Sequence, residues 1–146
     1  MSILIYAEYA EGKFKKAAFE LASYAKNVAE SLGTTVTAVT INAGDVSELS
    51  KYGVDKVLKV NNDELSGFTA KAYADVIKQA AQKENIKLLL LSSTTDSVYL
   101  SSLVAVALAA GYASNVVGLP VSTSPFQVKR TAFSNKAFNT TEINTE

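Results

Sequence analysis

Apolar positions along this chain switch between two periods. Ile3–Glu8 (ILIYAE) is a short apolar run and reads as a first strand. Phe14, Ala18, Leu21, Ala25, Val28 and Leu32 then recur at three- and four-residue steps, the stripe of one long helix. Gly33 follows, where a left-handed cap wants no Cβ. Val36–Ile41 (VTAVTI) is β-branched and predicts a second strand. Asp45–Glu48 (DVSE) has capping-box spacing, which predicts a short helix ending before Gly53. Lys56–Val60 (KVLKV) alternates and reads as a third strand with one wetter face. A second long helix is predicted from Phe68 to about Glu84, with Phe68, Ala72, Val76 and Ala80 on one side and Tyr73, Ile77 and Ala81 beside them. Leu88–Leu91 has no polar position. It predicts a fourth strand that is central and covered on both faces.

The alternation of strand and helix implies a parallel sheet with helices on both faces and right-handed crossovers. The next helix, about Val98–Ala110, is apolar on nearly every side. No Asp, Glu, Lys or Arg occurs from Ser97 through Val128, although the chain is 19% charged. Such a stretch is either core or a face that another chain covers. Beyond Gly111, Val116–Ser122 reads as a strand interrupted by Gly118 and Pro120. Gln127–Phe133 and Lys136–Ile143 flank Ser134–Asn135 and predict an antiparallel hairpin. Tyr112–Phe126 is expected to lie as apolar surface against a partner, with Val116, Val117, Leu119, Val121 and Phe126 exposed in part. Asn139–Glu146 reads as strand with no cap and no polar tail, so the natural chain is expected to continue.

At 146 residues the chain is one domain, 1–146, with room for a real core. Fourteen acids balance fourteen bases, which gives no footprint for nucleic acid or an anionic membrane. The absence of cysteine excludes disulfides, thiolate metal sites and cysteine nucleophiles, and it fits a reducing cytoplasm. The absence of histidine removes the usual general base. Met1 leads into the first strand without a basic region, so no secretory signal is read, and the apolar helix is too short to span a bilayer.

One turn is placed to bind a ligand. Ser92-Ser93-Thr94-Thr95-Asp96 lies between the fourth strand and the following helix, at the edge where open α/β sheets take ligands. Its hydroxyls and the helix N-terminus are the groups that cradle a phosphate. One of Thr94, Thr95 and Asp96 is in any case the N-cap. Asp96 opposes an anion there, and neither GxGxxG nor GxxxxGK[ST] occurs. The candidates are Ser93, Thr94 and Thr95, with Arg130 as a cation for a partner or a cofactor phosphate. Glu8 reads as the polar lip of a loop, and Lys13, Lys15 and Lys16 as a solvated helix start. No nucleophile with its base, carboxylate pair or metal cage is read, so the residues favour a binding or interaction domain over an enzyme.

The order of motifs resembles the N-terminal domain of the electron transfer flavoprotein α subunit. Ile5–Lys13 (IYAEYAEGK) matches that family's opening strand and its acidic, glycine-containing turn. Gly53–Leu58 (GVDKVL) matches its G-x-D-K-V-L strand. Ser93–Gly111 matches in kind a Thr-rich turn before an R-V-A-A-type helix, with Ser102-Leu103 where the family often has arginine. Phe126–Ala137 (FQVKRTAFSNKA) matches an F-V-R-P-x-Y-A-G-N-A hairpin, with Thr131 for the proline and Ser134 for the turn glycine.

The resemblance implies a three-layer α/β/α parallel sheet of adenine-nucleotide-hydrolase-like or Rossmann-like type, with an added C-terminal hairpin. It also implies a bacterial, cytoplasmic electron carrier without transmembrane insertion. Such an α subunit pairs with a β subunit, and the pair shuttles electrons in fatty acid β-oxidation from acyl-CoA and other dehydrogenases to a quinone reductase. FAD is held chiefly by a C-terminal domain absent from this sequence, so this fragment itself is not expected to bind FAD. The alternative reading is a free-standing nucleotide-binding domain of the universal-stress type, whose glycine-rich loop SSTTDS lacks.

Overall fold

The computed structural model describes residues 2–124, 126–132 and 137–144. In β1 (Ser2–Tyr6) every residue is buried, and Ser2 Oγ is matched by Thr37 Oγ1 at 3.0 Å. The chain then makes a hairpin that helical periodicity did not announce. β2 (Tyr9–Ala10) pairs antiparallel with β3 (Lys13–Phe14). Between them Glu11 and Gly12 have φ of 54° and 77°, the two left-handed positions that a tight hairpin turn needs. Phe14 is therefore a strand residue rather than the head of the helix stripe, with its ring edge-on to Tyr9 and Phe19.

α1 (Lys16–Leu32) buries Ala18, Leu21, Ala22, Ala25, Val28 and Ala29. It stops at Gly33, φ 65°, where the Gly33 and Thr34 N–H groups turn back onto last-turn carbonyls. β4 (Thr35–Ile41) follows. The DVSE segment does not cap an α-helix. Asp45 Oδ1 accepts the Ser47 N–H at 2.9 Å, and a 3₁₀ helix over Ser47–Tyr52 starts from Val46 and ends at Gly53, φ 94°. In β5 (Lys56–Val60), Val57 enters one core cluster while Leu58 and Val60 enter the other. Neither face is the wet one; the exposed lysines mark an edge.

α2 (Ala70–Lys83) begins two residues later than the pattern suggested. Its buried stripe is Tyr73, Ala74, Ile77, Ala80 and Ala81, while Phe68 packs edge-on to Tyr73 from outside the helix. β6 (Leu88–Leu90) leads through a turn into α3 (Thr95–Leu108).

Four strands form a parallel sheet in the order β5-β4-β1-β6. α1 covers the face that carries Ile3 and Ile5, and α2 with α3 cover the face that carries Leu4 and Tyr6. This is the expected three-layer α/β/α architecture. One expectation fails. Leu88–Leu91 is not central: among the described residues β6 pairs with β1 alone. Its apolar character comes from helices over both faces, and side-chain period carries no information about neighbours in the sheet plane.

A separate antiparallel sheet holds β7 (Ser122–Thr123), β8 (Phe126–Ala132) and β9 (Ala137–Ile143). β8 and β9 are in register from Phe126↔Ile143 to Ala132↔Ala137. The Ser134–Asn135 turn expected between them lies outside the described residues. Val116–Ser122 is less regular than a strand, with one bridge, Val116↔Arg130, ahead of β7. α3 is not wrapped by core either. Ser97, Leu100, Ser101 and Val104 are buried, while Val98, Tyr99, Leu103 and Val106 are exposed.

Candidate functional site

Glu8 follows β1 at the carboxyl edge of the sheet, and the Ser92–Asp96 turn follows β6 beside it. The sheet brings them together across 86 residues of sequence. Thr94 is the N-cap of α3: its Oγ1 accepts the Ser97 N–H at 3.3 Å. The same hydroxyl donates to Glu8 Oε1 at 2.7 Å, and Ser97 Oγ donates to that oxygen at 2.8 Å. Lys15 Nζ reaches Oε2 at 3.0 Å. Ser101 Oγ closes the row by donating to the Ser97 carbonyl at 2.7 Å.

Glu8 is thus no solvated lip. Its side chain is 4% exposed, and its carboxylate sits at the positive end of α3. A bound anion at this helix terminus would occupy the same place. Lys15 is likewise not merely solvated: it stands at the N-cap position of α1, and its hydrogen bond to Glu8 pushes its pKa up against the cost of burial.

Of the other candidates, Ser93 and Thr95 are exposed on the turn. Ser92 Oγ donates to the Ala17 carbonyl at 3.3 Å. Arg130 works elsewhere. Its Nε and Nη2 donate to the Ser114 carbonyl (2.6 Å) and Oγ (3.0 Å), and its Nη1 donates to Thr141 Oγ1 at 3.4 Å. It clamps the segment after α3 to the hairpin. Tyr24 Oη donates to the Gly118 carbonyl at 2.8 Å and ties that segment to α1. Beneath it a cavity of about 900 Å³ runs along β6 between α1 and α3.

Two acids stand at the head of α3. Its anion position is filled by Glu8, and Asp96 adds a second acid in the first turn of α3. Among the described residues no group of acids could hold a metal ion, and no helix is long and apolar enough to cross a membrane.

Tyr6 packs edge-on to Tyr73 below this site. Burial, then the Glu8 charge, then Tyr73 and Asp96, raise its phenol pKa. Burial also raises those of Tyr24 and Tyr73. A raised folded-state pKa gives stability that is complete below the unfolded value, about 10, and lost as pH climbs through the folded value. The melting temperature is therefore expected to hold up to about pH 10 and then fall. Tyr6→Phe should flatten that fall in melts taken from pH 8 to 11, since it removes a titrating group that the fold keeps neutral. An unchanged profile would show that Tyr6 contributes nothing to it.

A parallel sheet between helical layers, with an apolar flank and a small antiparallel sheet, defines a Rossmann-like α/β domain. Residues 3–146 match the model of the electron transfer flavoprotein domain, and the chain belongs to that family. It is 32% identical to the electron transfer flavoprotein subunit alpha of Thermoanaerobacterium thermosaccharolyticum, over 82% of this chain and 37% of that protein. The subunit alpha of Clostridium acetobutylicum is 30% identical over 82% of the chain and 36% of its own length. Protein FixB of Clostridium saccharobutylicum is 31% identical over 63% of the chain and 28% of its length. The chain spans about a third of the length of these relatives. The resemblance carried by GVDKVL and the hairpin segment is borne out.

Glu8 was the residue whose role sequence reading missed. The available signal was Ser97 and Ser101, two hydroxyls one turn apart on α3, both on its buried face.

Proposed function

We propose that this chain serves as the N-terminal domain, residues 1–146, of the α subunit of a heterodimeric, FAD-containing electron transfer flavoprotein. It acts as a structural, partner-facing domain and not as an enzyme. The whole carrier takes electrons from acyl-CoA and other dehydrogenases and passes them to a quinone reductase. FAD is held by another part of the longer subunit.

The observation that carries this reading is the apolar surface after α3. Tyr112, Val116, Val117, Leu119 and Val121 are all exposed, as the sequence led us to expect, while Phe126 is half-buried. Contiguous exposed apolar surface marks a protein partner. The self-filled crevice at Glu8 supports the same reading over a free-standing nucleotide binder.

The test is co-purification of the full-length subunit with a β subunit, followed by its visible spectrum. A flavin spectrum and a stable heterodimer are expected. Leu119→Asp should cut recovery of the β subunit by about tenfold or more. It should shift the melting temperature of this domain by less than about 2 °C, because Leu119 is half exposed already. Marked unfolding instead would place Leu119 in the domain's own core and end the interface reading. Calorimetric titration of the chain with FAD, AMP and ATP should give no micromolar binding. A micromolar AMP or ATP site would favour the nucleotide-binding alternative, with Ser93, Thr94 and Thr95 the first residues to replace.

A further inference from the structure

β5 ends the parallel sheet on the side away from β6. Among the described residues it pairs with β4 alone, so its outer row of backbone N–H and C=O groups has no ladder. Val57, Leu58 and Val60 are only partly buried. A groove of about 480 Å³ runs between this edge and α2, with Leu58 and Val60 on one wall and Val76 and Ala80 on the other.

Charge along the groove has one sign. Among the described residues its only charged lining is Lys59 and Lys83, both exposed. The acids next to it in sequence already have partners. Glu84 Oε1 accepts from Lys56 Nζ at 2.7 Å, and Asp75 Oδ2 accepts from Gln79 Nε2 at 2.9 Å. Asp45 turns its Oδ1 to the Ser47 N–H. Lys59 Nζ donates to the Gly44 carbonyl at 2.8 Å, and an ammonium group has two further protons to give.

An extended strand is the occupant that meets an open backbone row. It would lie about 4.8 Å from β5, with side chains alternating between the two faces. Leu58 and Val60 belong to the cluster under α2, so the residues on that face enter the groove and are apolar. Val57 belongs to the cluster under α1, and Lys59, two residues on, shares its face. The residues there meet an ammonium group and are acidic. Lys83, in the last turn of α2, receives a further acid. A second copy of β5 is the wrong occupant. It would bring another Lys56 and Lys59 to an edge that already holds both, and like charges on neighbouring strands oppose pairing.

We propose that the β5 edge docks an extended segment of another protein in which apolar and acidic residues alternate, bound as an added strand. The site is separate from the apolar surface after α3, and it stands whether or not the chain serves in a flavin carrier.

The test uses the full-length natural protein and three end-capped heptapeptides: EVEVEVE, KVKVKVK, and EVEVEVE with its amides N-methylated so that it cannot donate to a ladder. Fluorescence anisotropy should show EVEVEVE binding at least about tenfold more tightly than either of the others. At saturating EVEVEVE, hydrogen–deuterium exchange should slow about tenfold or more over Lys56–Val60 and stay unchanged over Leu88–Leu91. Lys59→Glu should weaken EVEVEVE about tenfold. Lys71→Glu, exposed on α2 outside the groove, should leave it unchanged. If Lys59→Glu does not fold, Lys83→Glu reads the same charge. Failure of EVEVEVE to bind, equal binding of the three peptides, unaltered exchange at β5, or full binding by Lys59→Glu would each overturn the proposal. So would protection of β5 without peptide in a species of doubled mass, because the occupant would then be a second copy.

Discussion

Glu8→Ala is expected to cost the domain about 3 kcal/mol and to lower its melting temperature by roughly 8 °C. The carboxylate is almost fully buried, and Thr94, Ser97 and Lys15 all donate to it. Alanine leaves two hydroxyls and an ammonium group without their acceptor, next to the unsatisfied N–H groups of α3. Glu8→Gln keeps the shape and one acceptor oxygen for Thr94 and Ser97 but loses the charge and the acceptor that faces Lys15, whose ammonium is partly solvated, so it should cost about a third as much. Circular dichroism melts at neutral pH would measure both. A loss below about 1 kcal/mol for Glu8→Ala would mean that the cluster is a surface arrangement with little energetic role.

Leu100→Ala should be as damaging, at about 3 kcal/mol, for a different reason. Leu100 is fully buried with Ile77 and Leu4 where α3 meets α2 and the sheet, so the substitution opens a cavity in a packed layer. Its sequence neighbour Tyr99 is 67% exposed, and Tyr99→Ser should change stability by less than about 0.5 kcal/mol. Urea titrations would separate the two, with similar slopes and different midpoints expected. Equal losses for both variants would mean that α3 is buried all round.

The elements were legible because side-chain period reports which faces are covered. The VTAVTI run, the α1 stripe and the four leucines each gave an element of the right type. The in-plane order of strands was not legible. β6 is apolar because α1 lies over one face and α2 with α3 over the other, and the same pattern would arise at the centre of the sheet or at its rim. The hairpin through Tyr9 and Phe14 escaped notice because its turn is Glu11-Gly12, which lacks the asparagine or aspartate that usually announces such a turn. The Glu8 cluster was hidden for a third reason. Its members lie on three elements and no local spacing joins them; only the sheet places Glu8 beside Ser97. The apolar flank, by contrast, was visible in the sequence as an uncharged run of unusual length.

The carboxylate at the head of α3 also bears on how the protein endures in a cell. Proteins whose helix termini wait for a phosphate gain stability in proportion to the logarithm of ligand concentration, and they weaken when the ligand pool runs low. This domain carries its counter-anion in its own sequence, as the Glu8 side chain three residues before the turn of its first hairpin. The charge at that helix terminus is thereby met by Glu8 without a bound ligand, so this one contribution to stability does not vary with the concentration of any anion.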